Sequence, residues 1–154
     1  MSLSNEVVRK LLKKNISISV AESCTGGLIS NTIIKNDGAS KIFTLGIVCY
    51  SNASKKKYLS ISDKTLQKYG AVSFNVAEEM INNLYKKEKT KIVVSTTGIA
   101  GPRGGTKKKP VGLVYMGIKF KKQNFIFKMN FNGTRLEIQR KTKDFIFRKI
   151  KKLI

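Results

Sequence analysis

The residues able to do chemistry fall in a few short stretches. AESCTGG, Ala21 to Gly27, sets a carboxylate, two hydroxyls and a thiol side by side ahead of paired glycines. YSNASKKKY follows Tyr50 with the lysine run Lys55, Lys56 and Lys57. TTGIAGPRGGTKKKPVG holds five glycines and both prolines of the chain, with Thr96 and Thr97 at its start. NGTRLEIQR brings Arg135 and Arg140 close to a helix start, where a guanidinium could bind phosphate or simply face solvent. Ser23 and Cys24 are the candidate nucleophiles. The chain has no histidine, so no imidazole can activate either of them. A lysine can act as the base if it is neutral, which requires burial or nearby positive charge to lower its pKa. Mutual repulsion within Lys55–Lys57 is one such cause, and spacing does not choose among the three. The glycine-rich stretch matches neither GxxxxGK[ST] nor GxGxxG at a helix start. Its backbone N–H groups could still approach a phosphate or carboxamide closely.

Each stretch also has a plainer reading. Ser23 or Thr25 could cap a helix, with Cys24 packed inside and Glu22 a hydrogen-bonded turn residue. The lysine run could be a solvated surface and the glycine-rich stretch an ordinary loop.

The positioning elements follow from periodicity. Ser4 is expected to cap a helix with Val7, Val8, Leu11 and Leu12 on one face, ending near Asn15. ISISV alternates as a strand, and helical spacing resumes at Leu28, Ile29, Thr32 and Ile33, so AESCTGG lies between strand and helix. TLGIVCY reads as a strand ending at Tyr50, and SNASKKKYL as a loop or short helix. Asp63 is expected to cap a helical turn that Gly70 ends. Phe74 to Lys87 forms a longer helix with Val76, Ala77, Met80 and Leu84 inward. IVVSTT is a buried-type strand. VGLVYMGIKF and NFIFKMNF are strands joined by a turn too short for a parallel crossover, hence antiparallel. A basic helix from Thr134 carries Leu136, Ile138, Phe145, Ile146, Ile150 and Leu153. Alternating helices and strands predict an α/β domain with a mixed sheet.

Composition sets the outer limits. The 154 residues suit one domain with a single core. Two cysteines without zinc-ligand spacing, and no histidine, give no metal motif and suit a reducing cytoplasm. No apolar run approaches the roughly 18 residues of a membrane span, so the expectation is a cytoplasmic protein with no membrane partner. A formal charge of +22 admits a nucleic-acid partner. That partner is possible but not favoured: only five of the 31 basic residues are arginines, the type that reads bases, and the lysines are spread over nearly every expected exposed face.

Taken together, AESCTGG, GIVCYSNASK, GAVS (Gly70 to Ser73) and TTGIAGPRGGTKKKPVG resemble, in this order, the CinA carboxy-terminal domain, the nicotinamide-nucleotide amidase family. The similarity runs from about Leu11 to the last helix. It implies a three-layer α/β/α sandwich with a mixed sheet, no cofactor or metal, and a homodimer. The implied reaction hydrolyses a small-molecule substrate, nicotinamide mononucleotide, to nicotinate mononucleotide and ammonia. By motif, Ser23 matches the nucleophile, Lys55 the general base and Tyr50 the tyrosine beside them. Substrate contacts carry over to Glu22, Cys24, Thr25, Gly26, Thr97, Gly98, Gly101 and Arg135. The chain departs from the family in lacking an acid at Ala53 or Ser54 and in placing Lys107 and Lys108 where acids are usual. Gly-Thr-Arg at 133 to 135 replaces Gly-Asp-Arg, and Gln139 replaces an arginine. These changes leave the Ser23–Lys55 pair intact and alter the side expected to meet phosphate and ribose. Residues 1–154 read as one such domain, without the larger N-terminal domain of full-length CinA proteins. The alternative reading is a domain of this fold without catalysis, acting through nucleic acid or a protein partner.

Overall fold

A computed structural model describes residues 1–154. Its centre is β1 (Ile18–Glu22), whose five residues are all buried. Full burial follows from its neighbours: β2 (Phe43–Val48) and β3 (Ile92–Gly98) both pair with it in parallel, and helices cover both faces. β3 then pairs antiparallel with β4 (Leu113–Phe120), and β4 with β5 (Gln123–Asn130), giving a mixed sheet of order β2-β1-β3-β4-β5.

Alternation along the strands assigns the two faces. Ile18 and Val20 of β1 join Val94 of β3 in a core with α1 (Leu3–Lys13), α2 (Leu28–Ile34) and α6 (Arg135–Leu153). Ala21 and Val93 point the other way, onto Val76, Met80, Ile81 and Leu84 of α5 (Phe74–Glu88). Two shorter helices, α3 (Asn52–Leu59) and α4 (Asp63–Tyr69), precede α5. The result is the expected three layers.

The chain diverges between β1, which leads outward to β2, and β3, which leads the other way to β4. The connection from β1 passes through α2 to β2, and the one from β2 returns through α3, α4 and α5 on the opposite face to β3. Beyond the carboxyl ends of strands whose neighbours run off in opposite directions a crevice opens, and ligands of open α/β sheets bind in such crevices.

Several boundaries differ from the sequence expectation. Ser2, not Ser4, caps α1 by accepting from the Asn5 N–H, and Ser4 lies buried within the helix. Ser62 rather than Asp63 caps α4. In both cases the periodic apolar residues located the helix, while a second hydroxyl or carboxyl nearby blurred its first residue. Leu136 is 61 % exposed, because the first turn of α6 projects past the sheet before Ile138 begins its buried stripe. The lysine segment is a regular helix, closed by a reciprocal capping pair, Ser51 and Ser54.

Candidate functional site

Ser23 directly follows β1. Its N–H donates to the Thr96 carbonyl at 3.1 Å, so the parallel pairing of β1 with β3 fixes its position. The next turn is held by Glu22, which is fully buried. One carboxylate oxygen accepts from the N–H groups of Gly27 and Ile29, both at 3.1 Å. The other accepts from the Ser30 N–H at 2.8 Å and its hydroxyl at 2.7 Å. Glu22 thus caps α2 from within the sheet, and no side chain at the N-cap itself does so. Gly26 and Gly27 have φ of 57° and 95°, the left-handed geometry that turns the chain from strand into helix. Thr25 is tied to Thr96 by a hydroxyl–hydroxyl bond of 2.8 Å.

Lys55 enters from the first turns of α3. It is 1 % exposed, and its Nζ lies 2.9 Å from Ser23 Oγ, 3.0 Å from the Cys49 carbonyl and 3.3 Å from the Tyr50 carbonyl. The other two lysines of the run face outward: Lys56 pairs with Asp63, and Lys57 lies over the Tyr58 ring. Burial holds the Lys55 amine below its usual value of 10.5. Desolvation is therefore the cause, not the repulsion among neighbouring lysines that the sequence suggested. Burial also pushes the Cys24 thiol up to about 12 and raises that of Cys49. The Lys55 amine bonds to Ser23 Oγ and to no thiol, which separates Cys24 from its neighbour Ser23.

These groups border a cavity of about 250 Å³ at the crevice beyond β1 and β3. Of the residues expected at the site, Ser23, Cys24, Tyr50, Lys55, Thr97, Gly98, Gly101 and Arg135 form its wall. Glu22, Thr25 and Gly26 do not; they build the turn behind it. Tyr50 is 63 % exposed, and its hydroxyl accepts from the Arg135 guanidinium at 3.3 Å, so this pair marks the rim. Thr97 is oriented by its hydroxyl, which donates to the Ala71 carbonyl at 2.7 Å. That contact ties GAVS to the end of β3.

Sequence reasoning missed Asn52, Val72 and Arg103, all of which line the cavity. It also left Gln139 without a contact, although its amide donates to the Cys24 carbonyl at 2.9 Å. Arg103 carried a signal, being the one ionic residue between Gly101 and Gly104. Lys55 carried one too. It stands four residues before Leu59, the other buried residue of α3, and so shares its helix face. No three Cys, Asp or Glu side chains gather where a cation could be held. The polar groups facing the cavity are hydroxyls, one amine, one amide and two guanidiniums.

A mixed α/β/α domain with a serine and a buried lysine paired at its crevice defines the class. Within it, the sequence profile of the CinA C-terminal domain matches residues 1–154, and the chain belongs to that family. A competence-damage inducible protein of Thermoanaerobacter sp. (strain X514) is 48 % identical over 138 residues, covering 89 % of this chain and 33 % of the relative. One from Clostridioides difficile (strain 630) is 47 % identical over 146 residues, covering 94 % and 35 %. The chain thus spans about one third of the length of these relatives. Among solved structures, a competence/damage inducible protein from Agrobacterium tumefaciens superposes with TM-score 0.93 at 31 % identity, covering 99 % of this chain and 96 % of that one. A CinA superfamily protein from Escherichia coli superposes with TM-score 0.93 at 28 % identity, covering 99 % and 88 %. No helix is long and apolar enough to cross a membrane.

Proposed function

We propose that this domain is an amidohydrolase that cleaves the carboxamide of nicotinamide mononucleotide through Ser23 and Lys55. One observation carries the reading: the Lys55 amine and the Ser23 hydroxyl lie 2.9 Å apart, both buried, at the wall of the crevice. Two of the amine's three partners are carbonyl oxygens, which can only accept. A neutral amine satisfies both with its two N–H groups and turns its lone pair toward the third partner, the serine hydroxyl. That is the arrangement a general base needs.

Ser23 Oγ attacks the carboxamide carbon as Lys55 takes its proton. The ammonium so formed protonates the departing nitrogen, the C–N bond breaks, and ammonia leaves an ester on Ser23. Water attacks the ester with Lys55 again as base, and the serine proton is restored. The Cys24 and Thr25 amides have no acceptor in the protein and are the donors left in this turn for the oxyanion. The amides of Gly26 and Gly27 are spent on the Ser23 carbonyl and Glu22. The cavity of about 250 Å³ is below the roughly 300–1,000 Å³ that encloses a drug-sized ligand. The carboxamide ring enters it, and the phosphate lies along the rim with Arg135 and Arg103.

The test is ammonia release from nicotinamide mononucleotide by the wild type and by Ser23→Ala, without added metal. Turnover that falls by about 10³-fold or more in the variant is expected. Equal rates, or no turnover in folded wild type at any pH that deprotonates the lysine, would sink the reading.

A further inference from the structure

At the opposite end of the parallel strands lies a second and larger cavity, of about 480 Å³. Lys89 and Lys91 reach it from the approach to β3, Lys119 from the end of β4, and Lys121 and Lys122 from the β4–β5 turn, with the rings of Tyr85 and Phe120 as flat walls. Five of its nine lining residues are lysines and none is acidic. The crevice at the other end has, among fifteen lining residues, one lysine, engaged with Ser23, and the two arginines Arg103 and Arg135. Lysines are therefore gathered at this groove and not at the serine crevice.

None of the five ammonium groups is paired with a carboxylate. Lys119 is held by Asn82 at 3.2 Å and Asn124 at 3.0 Å, and Lys91 donates to the Asn15 carbonyl at 2.9 Å. The carboxylate that joins this network, Glu78, accepts from Asn124 and not from a lysine. Three of the five also sit in left-handed backbone: Lys89 at φ 51°, Lys121 at 51° and Lys122 at 64°. Lys121 and Lys122 are the two central residues of the hairpin closed by Phe120 and Gln123. Positive φ at both positions is the geometry for which Asn-Gly is preferred. Two adjacent like charges occupy it instead, against both backbone preference and repulsion.

From this concentration of unpaired ammonium groups, we infer that the groove is a binding site for a phosphate chain, a ligand carrying several consecutive phosphates. Lysines offer strongly hydrated point charges rather than planar forks, so the site recognises phosphate and leaves any attached base unread. A nucleoside polyphosphate and a nucleic-acid backbone both present this chemistry. Binding here is independent of Ser23.

The test is titration of the whole chain with sodium triphosphate and, separately, with a short oligothymidylate, at several salt concentrations. The key variant is Lys121→Asn/Lys122→Gly, which restores the preferred turn while removing two charges. The control, Lys35→Gln/Lys41→Gln, removes two exposed charges elsewhere. The turn variant is expected to raise the melting temperature, weaken binding about ten-fold and flatten the salt dependence. The control should stay within about two-fold of the wild type, and Ser23→Ala should bind as the wild type does. Binding of triphosphate alone assigns the site to small polyphosphates, and binding of the oligonucleotide alone assigns it to a nucleic-acid backbone. Mutual competition assigns it to either source. Equal losses in the two double variants would reduce the effect to net charge and overturn the site, as would failure of the wild type to bind either probe.

Discussion

Lys55 is a cation-forming group whose three hydrogen-bond partners are all oxygens from the protein. Because burial lowers its pKa from 10.5, the rate of the proposed hydrolysis is expected to rise with pH as the amine sheds its proton, then level off. The chain has no histidine, the side chain whose ordinary pKa lies between pH 5 and 8, so an inflection near neutrality is not histidine's. Replacing Lys55 by Met should remove both the turnover and the inflection, measured on protein that keeps its circular dichroism spectrum. Stability follows the same titration with a definite sign. Between the lowered folded-state pKa and about 10.5 the unfolded chain holds a proton that the native chain has lost, so stability rises with pH across that window. Urea unfolding at a series of pH values should show the wild type gaining on Lys55→Met there; parallel curves would mean that the amine is not perturbed.

Elements decide whether such a pair can exist. Glu22 joins the end of β1 to the start of α2 through four hydrogen bonds. Glu22→Ala leaves buried N–H groups without an acceptor and should cost about 3 kcal/mol or more in urea unfolding. A loss below about 0.5 kcal/mol would show that the turn stands without it. Gly112 anchors the far end of the glycine-rich loop at φ 94°, and a Cβ there would come within 1.8 Å of the Phe131 carbonyl. Gly112→Ala should therefore lower the melting temperature and disturb the cavity wall that Gly98 and Gly101 provide. Much of this architecture is legible in the sequence. The apolar periods of α1, α5 and β3 gave their positions, and the short β4–β5 turn gave their antiparallel pairing. The site is legible in part, because AESCTGG, set between an alternating run and helical spacing, reads as a strand-to-helix turn. What pattern could not supply was the contact of Lys55 with Ser23, the engagement of Glu22 with α2, or the reach of Gln139 across from α6. All three depend on how separate elements pack, and the short range over which periodicity speaks does not include that.

For the molecule as a whole, the excess of positive charge governs how it responds to salt. With 31 basic and 9 acidic residues and only three ion pairs, the native state repels itself. Salt screens such repulsion within about 10 Å at 0.1 M. The melting temperature is expected to climb as sodium chloride is raised from about 10 mM to about 200 mM, read by differential scanning calorimetry. A flat or falling response would mean that the lysines are spaced widely enough to ignore one another.

The two concavities lie at opposite ends of the same parallel strands, one beyond β1 and β3 and the other before them. The molecule thus has poles. An anionic surface that grips the lysine pole leaves the serine pole turned toward solution, its mouth open to diffusing ligands. Anchoring and turnover then make no competing demand on the same face. Spread on a polyanionic support, the domain would be held in one orientation without any engineered attachment.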